Sequence, residues 1–452
     1  MLTVLNPATE EPLAELEQAG VEETDAAVAA AKAAFPAWRA VAPSDRARLL
    51  RRLATLVEER AEELARIESQ NVGKPIAGAR GEVGMVAEVF HFYAGAVDKH
   101  HGETIPVAGG VDITFREPLG VVGLIVPWNF PLNIASWKLG PALACGNTVV
   151  LKPAELTPLS ALRLAELALE AGIPEGVVNV VVGKGSVVGQ RLVEHPDVAK
   201  IGFTGSTEVG RSVMQGAAGT IKRVTLELGG KSANVVFADA DLERAAAAAP
   251  YAVFDNAGQD CCARSRILVE RSVYDRFLEL LAQATAQVRV GDPADERTEM
   301  GPLISAQHRE TVSSFLDDST RVAFRGAAPD SDRGFWFPCT IVEATNDDRV
   351  AREEVFGPVA AVIPFADEAE AVSLANDTPF GLSGSIWTRD GARALRVARG
   401  VETGVLSVNS NSSVRVATPF GGFKQSGFGR ELGMHALEGY SEVKNVFLST
   451  EE

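Results

Sequence analysis

The chain has 452 residues, 46% hydrophobic and 23% charged, which is ordinary for a globular protein and enough for two or three domains around large buried cores. Its formal net charge of −17 argues against a nucleic-acid partner, which would ask for a basic face. No apolar run approaches the roughly 20 residues that cross a bilayer and no secretory pattern opens the chain, so no membrane partner is expected. Four cysteines, two of them adjacent, make neither a disulfide framework nor a zinc-ligand spacing; a reducing cytoplasm and no metal are the expectation.

In chain order, apolar residues at three- and four-residue spacing predict helices over 24–38, 44–70 and 76–98, with Ser44 as the cap of the second. His101 to Phe115 is β-type sequence broken by Gly109-Gly110 and predicts a hairpin that reaches away from the body. From Val121 the pattern is regular. Strands at 121–126, 148–151, 177–182 and 200–203 alternate with helices near 133–144, 158–171 and 186–194, Pro158 suiting a first helical turn. Short apolar strands separated by helices predict an α/β fold with a doubly wound parallel sheet. A second alternating set from about 232 to 410 predicts a second α/β domain. The glycine-rich stretch after Pro419 runs into Tyr440–Val446, a candidate edge strand.

Several fragments suit a nucleotide. Lys152-Pro153-Ala154-Glu155 follows the strand at 148–151, at the carboxyl end where such sheets bind nucleotides. A lysine and a carboxylate there can hold ribose hydroxyls, and the carboxylate favours NAD over its 2′-phosphorylated counterpart, although an isolated Lys/Glu pair is more often solvated. Gly185 and Gly189 open a helix after a strand but lack the GxGxxG spacing. Phe203 to Gly210, with Gly205 and Ser206, puts strand, tight turn and helix N-terminus in order, an arrangement that offers N–H groups to a phosphate. In Glu353-Glu354-Val355-Phe356, Glu354 can hold a second ribose while Phe356 packs on a nicotinamide; alone, such a Phe is more often core.

Three further residues can react. Cys145 and Cys339 read as small buried hydrophobes, whereas Cys261 follows a Gly-Gln turn where a helix N-terminus or a cofactor charge can favour a thiolate. Asp260 beside it opposes that, unless its carboxylate points away or faces a cationic substrate. Glu227, between Leu226 and Leu228, suits a half-buried general base, with pairing to Lys231 as the plainer alternative. Asn129, between Trp128 and Phe130, can donate to an oxyanion or satisfy its own turn.

Taken together, Pro127–Pro131, Lys152–Glu155, Phe203–Gly210, Leu226–Lys231, Gly258–Cys261, Glu353–Pro358 and Pro419–Gly427 resemble the aldehyde dehydrogenase superfamily, collinearly from Asn6 to the C-terminus. The resemblance implies oxidation of a small-molecule aldehyde with NAD. Cys261 would attack the aldehyde carbon, Asn129 and the Cys261 N–H would hold the oxyanion, hydride would pass to NAD⁺, and Glu227 would hydrolyse the thioester. Lys152 and Glu155 would contact the adenosine ribose, Trp128 and Ser206 the cleft, and Glu354 and Phe356 the nicotinamide ribose. It further implies a cofactor domain of residues 1–99 and 119–229, a catalytic domain of 230–418, and an oligomerisation arm and tail of 100–118 and 419–452, in a homodimer or homotetramer. Phe130, Ile134, Trp137 and Phe420 are expected to line an apolar tunnel, and Asp260 suggests an aminoaldehyde or other cationic aldehyde. A broad aliphatic and aromatic range is the alternative. A CoA-acylating relative would not need Glu227, a binding protein would not need all three reactive residues, and a cysteine hydrolase lacks a credible histidine base.

Overall fold

In the computed structural model, which describes residues 1–412 and 414–451, the alternation after Val121 becomes a six-stranded sheet. Its spatial order is Gly427–Phe428, Arg223–Glu227, Val198–Thr204, Val121–Ile125, Thr148–Lys152 and Val178–Val180, parallel except for the first. Chain order reverses between Val121–Ile125 and Val198–Thr204, so a crevice opens at their carboxyl ends, the switch point at which doubly wound sheets bind ligands. Every residue of Val121–Ile125 and Thr148–Lys152 is buried, because helices cover both faces; their sequences are therefore continuous apolar runs.

The second set builds a seven-stranded sheet from Arg321–Arg325, Thr340–Glu343, Val359–Phe365, Arg266–Glu270, Ala233–Val236, Ser383–Trp387 and Val405–Val408, parallel except at its first edge. It has its own core, with Val235, Val269, Ile341, Val362 and Ile386 at the centre. The hairpin forms from Thr104–Val107 and Gly110–Pro118, turning at Gly109 with φ +75°. The tail strand Ser441–Ser449 pairs antiparallel with Gly110–Pro118 along its whole length and completes a three-stranded arm.

Local differences from the sequence-based expectation have physical causes. Pro43, with φ preset and no N–H to satisfy, starts the second helix, Pro43–Glu59, so Ala42 holds the cap position and Ser44 lies in the first turn. The expected helix 44–70 breaks at Arg60 (φ −106°, ψ 19°), restarts as Ala61–Val72 and stops at Gly73 in the left-handed region. Pro158 caps Leu159–Glu170 rather than sitting inside its first turn. The helix expected near 186–194 begins with a π turn, Gly185–Gly189, before the α-helical Gln190–Glu194. Among the described residues, no helix is long and apolar enough to cross a membrane.

Candidate active site

A cavity of about 760 Å³ fills the crevice, within the range of small-molecule sites. At one end Lys152, buried at the close of its strand, donates from its ammonium to the Pro153 carbonyl (2.8 Å), and burial lowers its pKa. Glu155 Oε2 accepts from the Gly185 N–H (3.3 Å), so the two loops meet across the cleft, with Gly189 beside Lys152. Ser206 caps the helix Thr207–Ala218 by accepting from the Val209 N–H (3.3 Å), and with Gly205 it presents that N-terminus to the cavity.

At the other end, Glu354 reaches the cavity because Gly229 has no side chain: a Cβ there would fall on the Glu354 carboxylate. Glu354 accepts from the Gly230 N–H (2.9 Å), yet burial outweighs that bond and raises its pKa to about 7. Phe356 holds a left-handed φ of +55°, a strained state for a bulky residue. Its carbonyl accepts from His308 Nε2 (2.7 Å), and its ring meets Trp128 edge-on (5.3 Å), with His308 packed on both. A buried ammonium with a carboxylate, a helix N-terminus, then a second carboxylate beside an aromatic wall fit two riboses, a diphosphate and a flat ring.

Cys261, Glu227 and Asn129 line the same cavity. The loop that carries the thiol is wound through three consecutive left-handed residues, Asn256, Ala257 and Gly258 (φ 49°, 58° and 70°). Polar bonds hold this winding. Gln259 donates to the Asn256 carbonyl (3.0 Å) and accepts from the Ile304 N–H (2.8 Å), while Asn256 donates to the Asn129 carbonyl (3.0 Å). Asn129 Nδ2 donates to the Gln259 carbonyl (2.9 Å), which fixes its amide beside the loop. A Cβ at Gly258 would fall on the Gly357 carbonyl, so the thiol loop also packs directly on the Phe356 segment.

The Cys261 thiol is pushed well above its ordinary pKa, first by its hydrogen bond with Cys262, then by burial and by the acids Asp260 and Glu354. Glu227 is 3% exposed, and neither of its oxygens has a protein partner. Burial and then the nearby Glu431 push its pKa well up, while Lys138 and Arg430 pull it down. The alternative pairing with Lys231 is not made: that ammonium is buried apart, with burial lowering its pKa to about 7.

Of the expected substrate residues, Phe130 and Ile134 reach the cavity. Trp137 packs edge-on against Phe420 (5.1 Å) and donates to Asn133 Oδ1 (3.0 Å), and neither is among the residues that line this cavity. Asp260 is not among them either, although its carboxylate lies within 4.8 Å of the Cys261 sulfur; its Oδ1 accepts from the Cys262 N–H (2.9 Å) and burial raises its pKa. Behind Phe130, the Lys74 ammonium sits 4.2 Å from the ring centroid and pairs with Glu82 and Glu68.

Comparison with known proteins agrees with this geometry. A model described as the aldehyde dehydrogenase family matches residues 1–446. The chain belongs to that family. It is 42% identical to the betaine aldehyde dehydrogenase of Bacillus subtilis (strain 168) over 99% of this chain and 94% of that one. It is 44% identical to a phenylacetaldehyde dehydrogenase of Pseudomonas fluorescens, over 99% and 92%. The structure of an aldehyde dehydrogenase from Bacillus cereus as its NAD⁺ complex superposes with a TM-score of 0.97 at 42% identity, covering 99% and 93%.

Several residues that shape this aldehyde dehydrogenase escape a reading of its sequence. Lys138 and Glu431 form a fully buried ion pair beside Glu227. The available signal was a lone lysine in the apolar run Ile134 to Leu143. Ser426, wholly buried, donates to the Gly229 carbonyl (2.7 Å) and accepts from the Gly381 N–H (2.9 Å), binding the tail to the strand end that carries Glu227. His308 and the bond of Gln259 to Ile304 carried no signal, because the partners lie 48 and 45 residues away.

Proposed function

We propose that this aldehyde dehydrogenase oxidises an aldehyde to the carboxylic acid with NAD, Cys261 serving as nucleophile and Glu227 as the base of hydrolysis. The observation that carries this reading is one cavity lined by Cys261, Glu227 and Asn129 together with the nucleotide-type residues. NAD, when bound, supplies the acceptor for the hydrogen and electron pair that leave the aldehyde carbon. Lys152 and Glu155 would hold one ribose, Glu354 the other, and Trp128 and Phe356 the flat ring.

The chain's own work begins with loss of the Cys261 proton, favoured when a positive charge stands near a thiol this strongly raised. Sulfur bonds to the aldehyde carbon, and Asn129 with the Cys261 N–H stabilises the negative oxygen. After oxidation the carbon is a thioester. Glu227, as carboxylate, takes a proton from water, the hydroxide oxygen bonds to the carbonyl carbon, the C–S bond breaks to release sulfur as thiolate, and the proton held by Glu227 passes to sulfur, restoring the thiol and the carboxylate. A thioester delivered to CoA would need no such base.

For the substrate, the apolar Phe130 and Ile134 support aliphatic and aromatic aldehydes as the preferred class. Cationic aldehydes are a second reading, favoured by the acids Glu68, Glu82, Asp255 and Asp260 gathered around one lysine, Lys74. A turnover panel of hexanal, benzaldehyde, 4-aminobutyraldehyde and betaine aldehyde tests both, with Asp260→Ala alongside. Uniform loss across the panel makes Asp260 scaffold; loss confined to the cations would reverse the preference. Unpaired cysteines suit a cytoplasmic site of action. The exposed apolar residues of the arm suit assembly into a homodimer or homotetramer.

A further inference from the structure

The strand carrying Glu227 has a polar face that the reaction above does not use. Pairing sets Gly202 opposite Thr225 and Thr204 opposite Glu227, and alternate residues share a face. Lys200, Thr225 and Glu227 therefore lie on one side of the sheet, while Ile201, Phe203 and Leu226 join an apolar core on the other. Lys200 is 1% exposed. Its ammonium donates to Thr225 Oγ1 (2.6 Å) and sits 4.9 Å from the Tyr440 ring centroid.

Glycines make room for this row. A Cβ at Gly202 would meet the Tyr440 hydroxyl at 3.3 Å and Lys138 Cδ at 3.8 Å, and one at Gly439 would come 3.7 Å from Lys200 Nζ. Lys200 thus shares a pocket with the Lys138–Glu431 pair. Both oxygens of Glu227, Oε2 of Glu431 and the Tyr440 hydroxyl are buried there without a protein partner among the described residues. Buried oxygens of this kind are bridged by water, which carries hydrogen bonds from one to the next.

We propose that Lys200 is a positioning residue for deacylation: its ammonium, anchored on Thr225 two residues before the base, favours the carboxylate form of Glu227. This rests on the reading of Glu227 as base. The charged and titratable groups facing Lys200 are Lys138, Glu431, Arg223 and Tyr440. Burial most of all, then Lys138 and Arg223, push the ammonium towards neutrality, Glu431 opposes, and its pKa falls to about 7. Its charge is present below that pH and is lost above it.

The test follows protein-bound label after a single turnover of radiolabelled aldehyde with acid quenching, as a function of pH. In Lys200→Met the charge is absent at every pH, so the acid limb of deacylation moves up by about one pH unit, roughly tenfold slower release on the limb. In Lys200→Arg the charge is permanent, so the limb does not move to higher pH. Formation of the bound label keeps its wild-type rate in both. A limb left in place in Lys200→Met would overturn the proposal; if Lys200→Met does not fold, Lys200→Gln is read in its place. Glu227→Gln is run beside them. Label released from it at the wild-type rate means the base itself is misassigned, whereas label retained with unmoved Lys200 limbs refutes Lys200 only.

Discussion

At Cys261 the chemistry has to overcome its own surroundings, since Cys262, burial and two acids all hold the proton on sulfur. Cys261→Ser is expected to abolish turnover while leaving NAD⁺ binding intact by calorimetry, and Cys262→Ser to stay within severalfold of wild type. Equal damage from both would reassign the nucleophile. Glu227→Gln should release about one equivalent of NADH per site in a burst and then stall. In the proposed role Glu227 works as a carboxylate with a raised pKa, so deacylation is expected to slow as pH falls through that value. Removing the neighbouring negative charge with Glu431→Gln lowers the Glu227 pKa, and the acid limb should move to lower pH; a limb at the wild-type position would show that Glu431 is screened from the base. Glu155 lines the end of the cavity proposed to take the adenosine ribose, where a 2′-phosphate would meet its charge at a cost of about 1–3 kcal/mol, roughly a ten- to hundredfold preference for NAD⁺. Equal kcat/KM for the two cofactors would mean that this carboxylate swings aside.

Loops hold Asn129 and Cys261 and a strand end holds Glu227, and glycines let these segments touch their neighbours. Gly229 admits Glu354, Gly258 admits Gly357, and Gly421 lies so close to Glu227 that a Cβ would stand 2.8 Å from its Oε1. Gly229→Ala should drive Glu354 from the cleft and weaken NAD⁺ binding by roughly tenfold, the worth of one hydrogen bond to a charged group. Calorimetry giving an unchanged Kd would remove Glu354 from the cofactor site. Element by element, the sequence was most legible where burial is simple. The apolar strands Val121–Ile125 and Thr148–Lys152 and the Gly109 turn were found from pattern alone. Ser44 and the single helix 44–70 were misread, because Pro43 outcompetes a serine for starting a helix and the break at Arg60 has no glycine or proline to announce it.

At the scale of the molecule, the arm carries Phe115, Val443 and Phe447, each about half exposed, on a three-stranded sheet that packs beside neither core. If the arm carries the proposed assembly, Val443→Asp with Phe447→Asp is expected to give monomers in sedimentation velocity, and an unchanged sedimentation coefficient would remove the arm from that role. Residue types and their order along the chain determined the two alternating α/β sets, the hairpin, the nucleotide-type turns and the trio of Asn129, Glu227 and Cys261, because each rests on short-range pattern or local chemistry. Only the tertiary structure decided which groups surround that trio. The Gly-rich tail pairs back on Glu227, Glu431 meets Lys138 across nearly three hundred positions, Asp260 sits against the sulfurs of its own loop, and Trp137 and Phe420 pack on each other. Proton affinity depends on distance through a buried medium, and distance between remote segments is a property that strand order and loop winding create.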